Sequence, residues 1–104
     1  MHFQFEKITD APVVRLPVTP KIRFEHLRGF LNTCRDVNAY VGHDNIGGAH
    51  LDASRMTWVI SVAGAERTYR HDLRISLEEN LAAVDQIIGE EFTRAQVLKA
   101  ARAL

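Results

Sequence analysis

Residues 20–41 read PKIRFEHLRGFLNTCRDVNAYV, and whether this stretch coils or extends decides the fold. Thr19 followed by Pro20 has the form of a helix start. A hydroxyl caps the first turn, and proline sits where its missing N–H costs nothing. From Phe24 onward, Leu27, Phe30, Leu31, Cys34, Val37 and Val41 recur at helical spacing. They make one apolar stripe, with Gly42 placed to end it. The spacing predicts a helix over 20–41, with Lys21, Arg23, Arg28, Arg35 and Asp36 on its other faces.

Outward from that helix the pattern changes to period two. Phe3 and Phe5 alternate with Gln4 and Glu6 over 2–8, and Val13-Val14-Arg15-Leu16 is bracketed by Pro12 and Pro17. Both read as short strands, the second suited to an edge. Residues 56–62 place Trp58, Ile60 and Val62 on one face and Thr57, Val59 and Ser61 on the other. Residues 67–75 place Tyr69, His71, Leu73 and Ile75 against Thr68, Arg70, Asp72 and Arg74. Joined by Ala63-Gly64-Ala65-Glu66, the two form an antiparallel hairpin with one apolar side. Ser76 with Glu79 is a capping box, opening a helix over 77–88 with Leu77, Leu81, Val84 and Ile88 as its stripe and Gly89 as its end. Thr93 with Gln96 is a second box, opening a short helix over 94–103. Residues 42–55, with three glycines and no clean period, read as a long loop.

The expected order is β-β-α-β-β-α-α in a single α+β domain spanning 1–104. It is a two-layer sandwich, with an antiparallel sheet of about four strands. Two main helices cover its Trp58/Tyr69 face and a short C-terminal helix follows.

Composition bounds the function. The chain has 104 residues, 46% of them hydrophobic and 25% charged, with 13 basic against 13 acidic side chains. That is too apolar and too neutral for a disordered chain. No apolar run reaches the roughly 18 residues of a membrane span. One cysteine makes no intrachain disulfide and fits a reducing cytoplasm. The opening Met-His-Phe-Gln-Phe-Glu lacks the form of a secretory signal. Zero net charge exerts no overall pull on nucleic acid or anionic lipid. The signs are unevenly spread, with 10 basic and 8 acidic residues in 1–76 against 3 and 5 in 77–104.

Several constellations invite chemistry. His43, Asp44, His50 and Asp52 gather imidazoles and carboxylates in the 42–55 loop, but their spacing matches no familiar zinc pattern. Asp and Asn there also stabilise turns through their own backbone. Gly47-Gly48 has neither the preceding strand nor the following helix of a phosphate loop. Cys34, on a buried stripe, is a small hydrophobe without an adjacent base. His71, between Tyr69 and Leu73, is a core histidine bonded to backbone or to a tyrosine. Glu78 and Glu79 are explained by the cap and the helix dipole. No catalytic set, cofactor or metal ligand set follows from these residues.

Arginines carry more weight. Arg23 and Arg28 on the long helix, and Arg70 and Arg74 on the polar sheet face, offer bidentate contacts to a partner. That sheet face lacks the exposed aromatic pair of a single-strand stacking platform. The last two helices resemble a helix-turn-helix arrangement in outline, with Gly89 in the turn and Arg94, Gln96, Lys99 and Arg102 projecting. Glu78, Glu79, Asp85, Glu90 and Glu91 around it repel phosphate, Asp85 is large for the helix contact, and a third helix is missing.

The expected function is a small non-catalytic cytoplasmic interaction module: a regulator, adaptor or accessory protein that binds another macromolecule, as a homodimer. Tyr40, Phe92 and Leu104 lie beyond the main stripes and could extend its interface. The alternatives are a nucleic-acid binder using the arginines or the terminal helix pair, and a small metal-dependent enzyme with its site in 42–55.

Overall fold

The computed structural model describes residues 21–103. Five strands run in chain order: β1 (Arg23–Arg28), β2 (Cys34–Val41), β3 (Asp44–Asp52), β4 (Thr57–Val62) and β5 (Ala65–Arg70). One helix, α1 (Leu77–Arg102), follows them. Each strand pairs antiparallel with the next, giving the sheet order β1-β2-β3-β4-β5. The class is α+β, as the expected mix of helices and antiparallel strands implies, but the layers differ from the expected ones. The strands expected at 2–8 and 13–16 lie outside the described residues.

The expected helix over 20–41 is two strands and a turn. Arg23 pairs with Tyr40, Phe24 with Ala39, Glu25 with Asn38 and His26 with Val37. Gly29 to Thr33 reverse the chain through a 3-10 turn, with Leu31 and Asn32 at positive φ. The apolar spacing that imitated a helix was supplied by turn and edge residues. Leu27, Phe30 and Leu31 are 44%, 84% and 80% exposed, so they join no buried stripe. Alternation governs instead: Val37 and Ala39 are buried while Asp36, Asn38 and Tyr40 face the other way. The ladder skips Arg35, a bulge that returns Cys34 to the buried face.

The expected loop over 42–55 is mostly β3, the longest strand. Gly47 and Gly48 obscure its pattern because two backbones crowd them. A Cβ on Gly48 would meet the Val37 carbonyl oxygen at 2.3 Å, and one on Gly47 the Ser61 carbonyl oxygen at 2.3 Å. The ladder also skips Ile46, a second bulge. Ala49 and Leu51 then face the core, opposite Ile60 and Trp58.

The hairpin of β4 and β5 forms, in the register Trp58↔Tyr69 and Ile60↔Arg67. The strand expected over 67–75 is instead Ala65–Arg70. Residues 71–75 leave the sheet with Leu73 79% exposed, so Leu73 and Ile75 extend no apolar strand face. Its two-residue turn has Ala63 and Gly64 at positive φ. The capping box also holds. Ser76 Oγ accepts from the Glu79 N–H at 3.1 Å, and the Glu79 carboxylate accepts from the Ser76 N–H at 3.0 Å.

The two expected C-terminal helices are one. Gly89 lies inside α1, and the buried residues Asn80, Leu81, Val84, Ile88, Glu91 and Phe92 form a single stripe across it. One helical glycine costs only about 1 kcal/mol, which a continuous buried stripe overrides. The turn required by a helix-turn-helix is therefore not formed, and Phe92 belongs to the core rather than to an interface. No described helix is long and apolar enough to cross a membrane.

α1 lies over one face of the sheet. Between them are Val37, Ala39, Ala49, Leu51, Trp58, Ile60 and Val62 from the strands and Leu81, Val84, Ile88 and Phe92 from the helix. Polar contacts fix the helix at its margins. From β1, His26 Nε2 meets Asp85 at 2.9 Å and Arg28 meets Glu78 at 3.0 Å. From β5, Arg67 donates to the buried Glu91 at 2.6 Å. Asn80 uses its whole amide. Its Oδ1 accepts from the Tyr69 hydroxyl and the Asp72 N–H, and its Nδ2 donates to the Asp72 and Ser76 carbonyls.

Candidate functional site: the uncovered sheet face and its edge

A strand alternates its side chains, so a sheet with its helix on one face presents every second residue on the other. Here that second face carries Arg23 and Glu25 from β1, Asp36, Asn38 and Tyr40 from β2, and Gly48 and His50 from β3. Thr57, Val59 and Ser61 follow from β4, then Glu66, Thr68 and Arg70 from β5. Among the described residues no helix or strand lies across it.

Its centre is a broad open depression of about 820 Å³ whose lining includes Asn38, Asn45, Gly48, His50, Val59 and Ser61. The floor is low because Gly48, opposite Asn38 and Ser61, carries no side chain. Around it stand fixed polar groups. The Arg23 guanidinium carbon lies 4.6 Å from the centre of the Tyr40 ring, a cation–π contact. His50 Nδ1 lies 2.8 Å from Asp36 Oδ1, with both side chains at least half exposed. This pairing orients the imidazole and leaves Nε2 without a hydrogen-bond partner among the described residues. No serine, threonine or cysteine shares a hydrogen bond with His50 among the described residues.

The arginines named from the sequence are dispersed. Arg28 points to the helix side and pairs with Glu78. Arg74 lies in the loop before α1 and binds Asp72 through both its side chain and its backbone N–H. The same contacts hold the Glu78 and Asp72 carboxyls below the usual range. Arg23 and Arg70 share the uncovered face but sit on its opposite edge strands. No four-arginine patch assembles.

The residues named from the 42–55 segment are also drawn apart. His43 is in the β2–β3 turn and Asp44 begins β3, whereas Asp52 ends it. At about 3.3 Å per residue the strand holds its two ends more than 20 Å apart. Asp52 is occupied locally, accepting from the Ser54 hydroxyl at 2.7 Å, and that bond leads in lowering its carboxyl pKa. Among the described residues no group of three histidine, cysteine or acidic side chains has metal-binding geometry.

Cys34 is buried beneath the β1–β2 turn, and burial pushes its thiol pKa up, away from nucleophilic reactivity. His71 takes the Trp58 indole N–H on Nδ1 at 3.2 Å, so its partner is tryptophan rather than tyrosine. The residues that sequence reasoning passed over are Asp36 and Asn38, which lie on this face beside Tyr40, a residue the sequence had already offered to an interface. Their signal was the alternation against Val37, Ala39 and Val41, overlaid by a helical spacing.

Comparison with protein-family models, curated proteins and solved structures finds no match to this chain.

Proposed function

We propose that this protein is a small non-catalytic cytoplasmic interaction module that works as a homodimer and binds another macromolecule through its uncovered sheet face. The observation that carries the reading is the one-sided architecture, in which α1 protects one side of a five-stranded sheet and the described chain leaves the other bare. A face of this kind normally carries a partner or solvating charge. This one mixes Arg23 and Arg70 with Glu25, Asp36 and Glu66 around a glycine floor, and its tyrosine is held in place by Arg23. Mixed signs suit a protein surface better than a polyphosphate, which selects uniform positive charge.

Affinity capture with paired baits tests the reading. The wild-type chain is expected to retain a macromolecule that a bait carrying Asn38→Arg and Ser61→Arg loses, with both baits showing the same circular dichroism. Identical capture profiles would overturn the face as the binding surface. A steeply salt-dependent shift with DNA or RNA would replace the protein partner with a nucleic acid.

A further inference from the structure

Among the described residues, the last strand of the sheet is bare along its edge as well as on one face. β5 reads Ala65-Glu66-Arg67-Thr68-Tyr69-Arg70 and has β4 as its one strand neighbour among the described residues. The two-residue turn makes Val62↔Ala65 a hydrogen-bonded pair, and such pairs alternate along an antiparallel ladder. Arg67 and Tyr69 therefore direct their backbone groups to β4, whereas Glu66, Thr68 and Arg70 direct theirs outward. The same three residues carry their side chains on the uncovered face.

We infer that this edge pairs antiparallel with the β5 edge of a second copy of the chain, about a twofold axis at Thr68. The inference rests on the homodimer reading above and locates its interface. In this register Glu66 lies opposite Arg70 of the second copy, and Arg70 opposite its Glu66. Thr68 faces Thr68, and on the helix side Arg67 faces Tyr69. The first two are favourable cross-strand combinations, of opposite charges and of paired hydroxyls; Arg67 itself stays committed to Glu91. No ion pair among the described residues already engages Glu66 or Arg70.

The neighbouring registers fail on charge. An axis at Glu66, Arg67 or Arg70 sets like charges against each other, and an axis at Tyr69 leaves Glu66 without a cation. The outward backbone groups of Glu66, Thr68 and Arg70 are the ones this register joins, so hydrogen bonding and side-chain pairing select the same alignment. The twofold stands perpendicular to the sheet. Both uncovered faces then merge into one ten-stranded surface, with both helices behind it.

Light scattering coupled to size exclusion, across a dilution series, tests this. The wild type is expected to dimerise. Glu66→Arg alone or Arg70→Glu alone should raise the dimer dissociation constant by about tenfold or more, because each creates two like-charge pairs. The double variant E66R/R70E restores both pairs and should return the constant to within about threefold of wild type. Thr68→Pro removes an outward N–H without touching the β4 ladder, and should abolish dimerisation with circular dichroism unchanged. A wild type monomeric at every concentration would defeat the homodimer reading and this interface with it. A dimer indifferent to the single reversals, or not rescued by the double variant, would overturn the β5 interface and leave the homodimer reading standing.

Discussion

Replacing Asn80 with alanine removes a side chain whose every donor and acceptor is used inside the protein. Asn80 is fully buried. Its Oδ1 accepts from Tyr69 at 3.0 Å and from the Asp72 N–H at 2.8 Å; its Nδ2 donates to the Asp72 and Ser76 carbonyls, both at 2.9 Å. The two carbonyls keep another partner each, since Ile75 N–H reaches Asp72 and Asn80 N–H reaches Ser76. The groups orphaned in the variant are the Asp72 N–H and, in part, the half-buried Tyr69 hydroxyl. An orphaned buried donor costs about 1–3 kcal/mol and each lost bond contributes about 1 kcal/mol, so Asn80→Ala should cost about 3 kcal/mol. That is a large share of the roughly 5–15 kcal/mol of a domain this size. It corresponds to a melting point lower by about 12–24 °C. Urea denaturation followed by tryptophan fluorescence reads the loss directly, since Trp58 lies in the core beneath α1. Asn80→Asp separates the donors from the acceptors. It keeps both acceptors, loses both donors and buries a carboxylate, so it should be at least as damaging at neutral pH. It should recover as the pH falls and the carboxyl protonates. A loss below about 1 kcal/mol for Asn80→Ala, or a pH-independent Asn80→Asp, would refute the claim that this amide locks the end of β5 to the helix.

Two glycines should respond with opposite signs. Gly48→Ala drives a Cβ to 2.3 Å from the Val37 carbonyl and should cost about 2 kcal/mol by separating β2 from β3. Gly89→Ala meets nothing within 4 Å inside a continuous helix and should stabilise by about 0.5–1 kcal/mol in urea titrations, whereas a turn at that position would make it destabilising. Ser76→Ala removes the helix cap and should cost about 1 kcal/mol by the same assay. Acid should unfold the protein through Asp72, Glu78 and Asp52, whose pKa values are lowered in the folded state by their arginine and serine partners. Their contribution is complete above the unfolded pKa values near 4 and is lost as pH falls through the lower folded values. Asp85, raised chiefly by burial, works in the opposite sense, stabilising as pH falls through its raised value. A pH series of urea midpoints should therefore lose stability less steeply below pH ~4 in Glu78→Gln, whereas Asp85→Asn should lack the gain that Asp85 supplies above pH ~4, as pH falls from its raised folded value to the unfolded one.

The legible parts of the fold were those where one physical signal acted alone. Alternation around Trp58 and Tyr69 is clean, and Ser76 with Glu79 admits one reading, so the last hairpin and the helix start were readable. Residues 20–41 carried two periods at once. Phe24, Leu27, Phe30 and Leu31 fall on a helical stripe by position, yet the latter three are spent on an exposed strand end and turn, a distinction made only by tertiary pairing. Gly47 and Gly48 looked like loop residues because glycine is usually conformational. Here Gly48 is spatial, admitting the Val37 backbone, and Gly47 is both spatial and conformational, set against the Ser61 carbonyl at φ 148°. Gly89 misled in the opposite direction, since burial of Ile88 and Phe92 on either side carries the helix through it. The uncovered face was half visible through Thr57, Val59, Ser61 and Thr68. Its other half waited on the extension of 34–52, which also separates His43 from Asp52.

The most direct test of the one-sided sheet compares two neighbouring positions of β4 by thiol labelling, in a Cys34→Ala background. Ser61 lies on the uncovered face and Val62, 1% exposed, lies beneath α1. In the dilute protein, Ser61→Cys should react with a thiol reagent at nearly the rate of an unstructured peptide, and Val62→Cys only through opening of the fold. Equal protection of the two positions would show that the chain itself covers both faces, and the proposed binding surface would not exist.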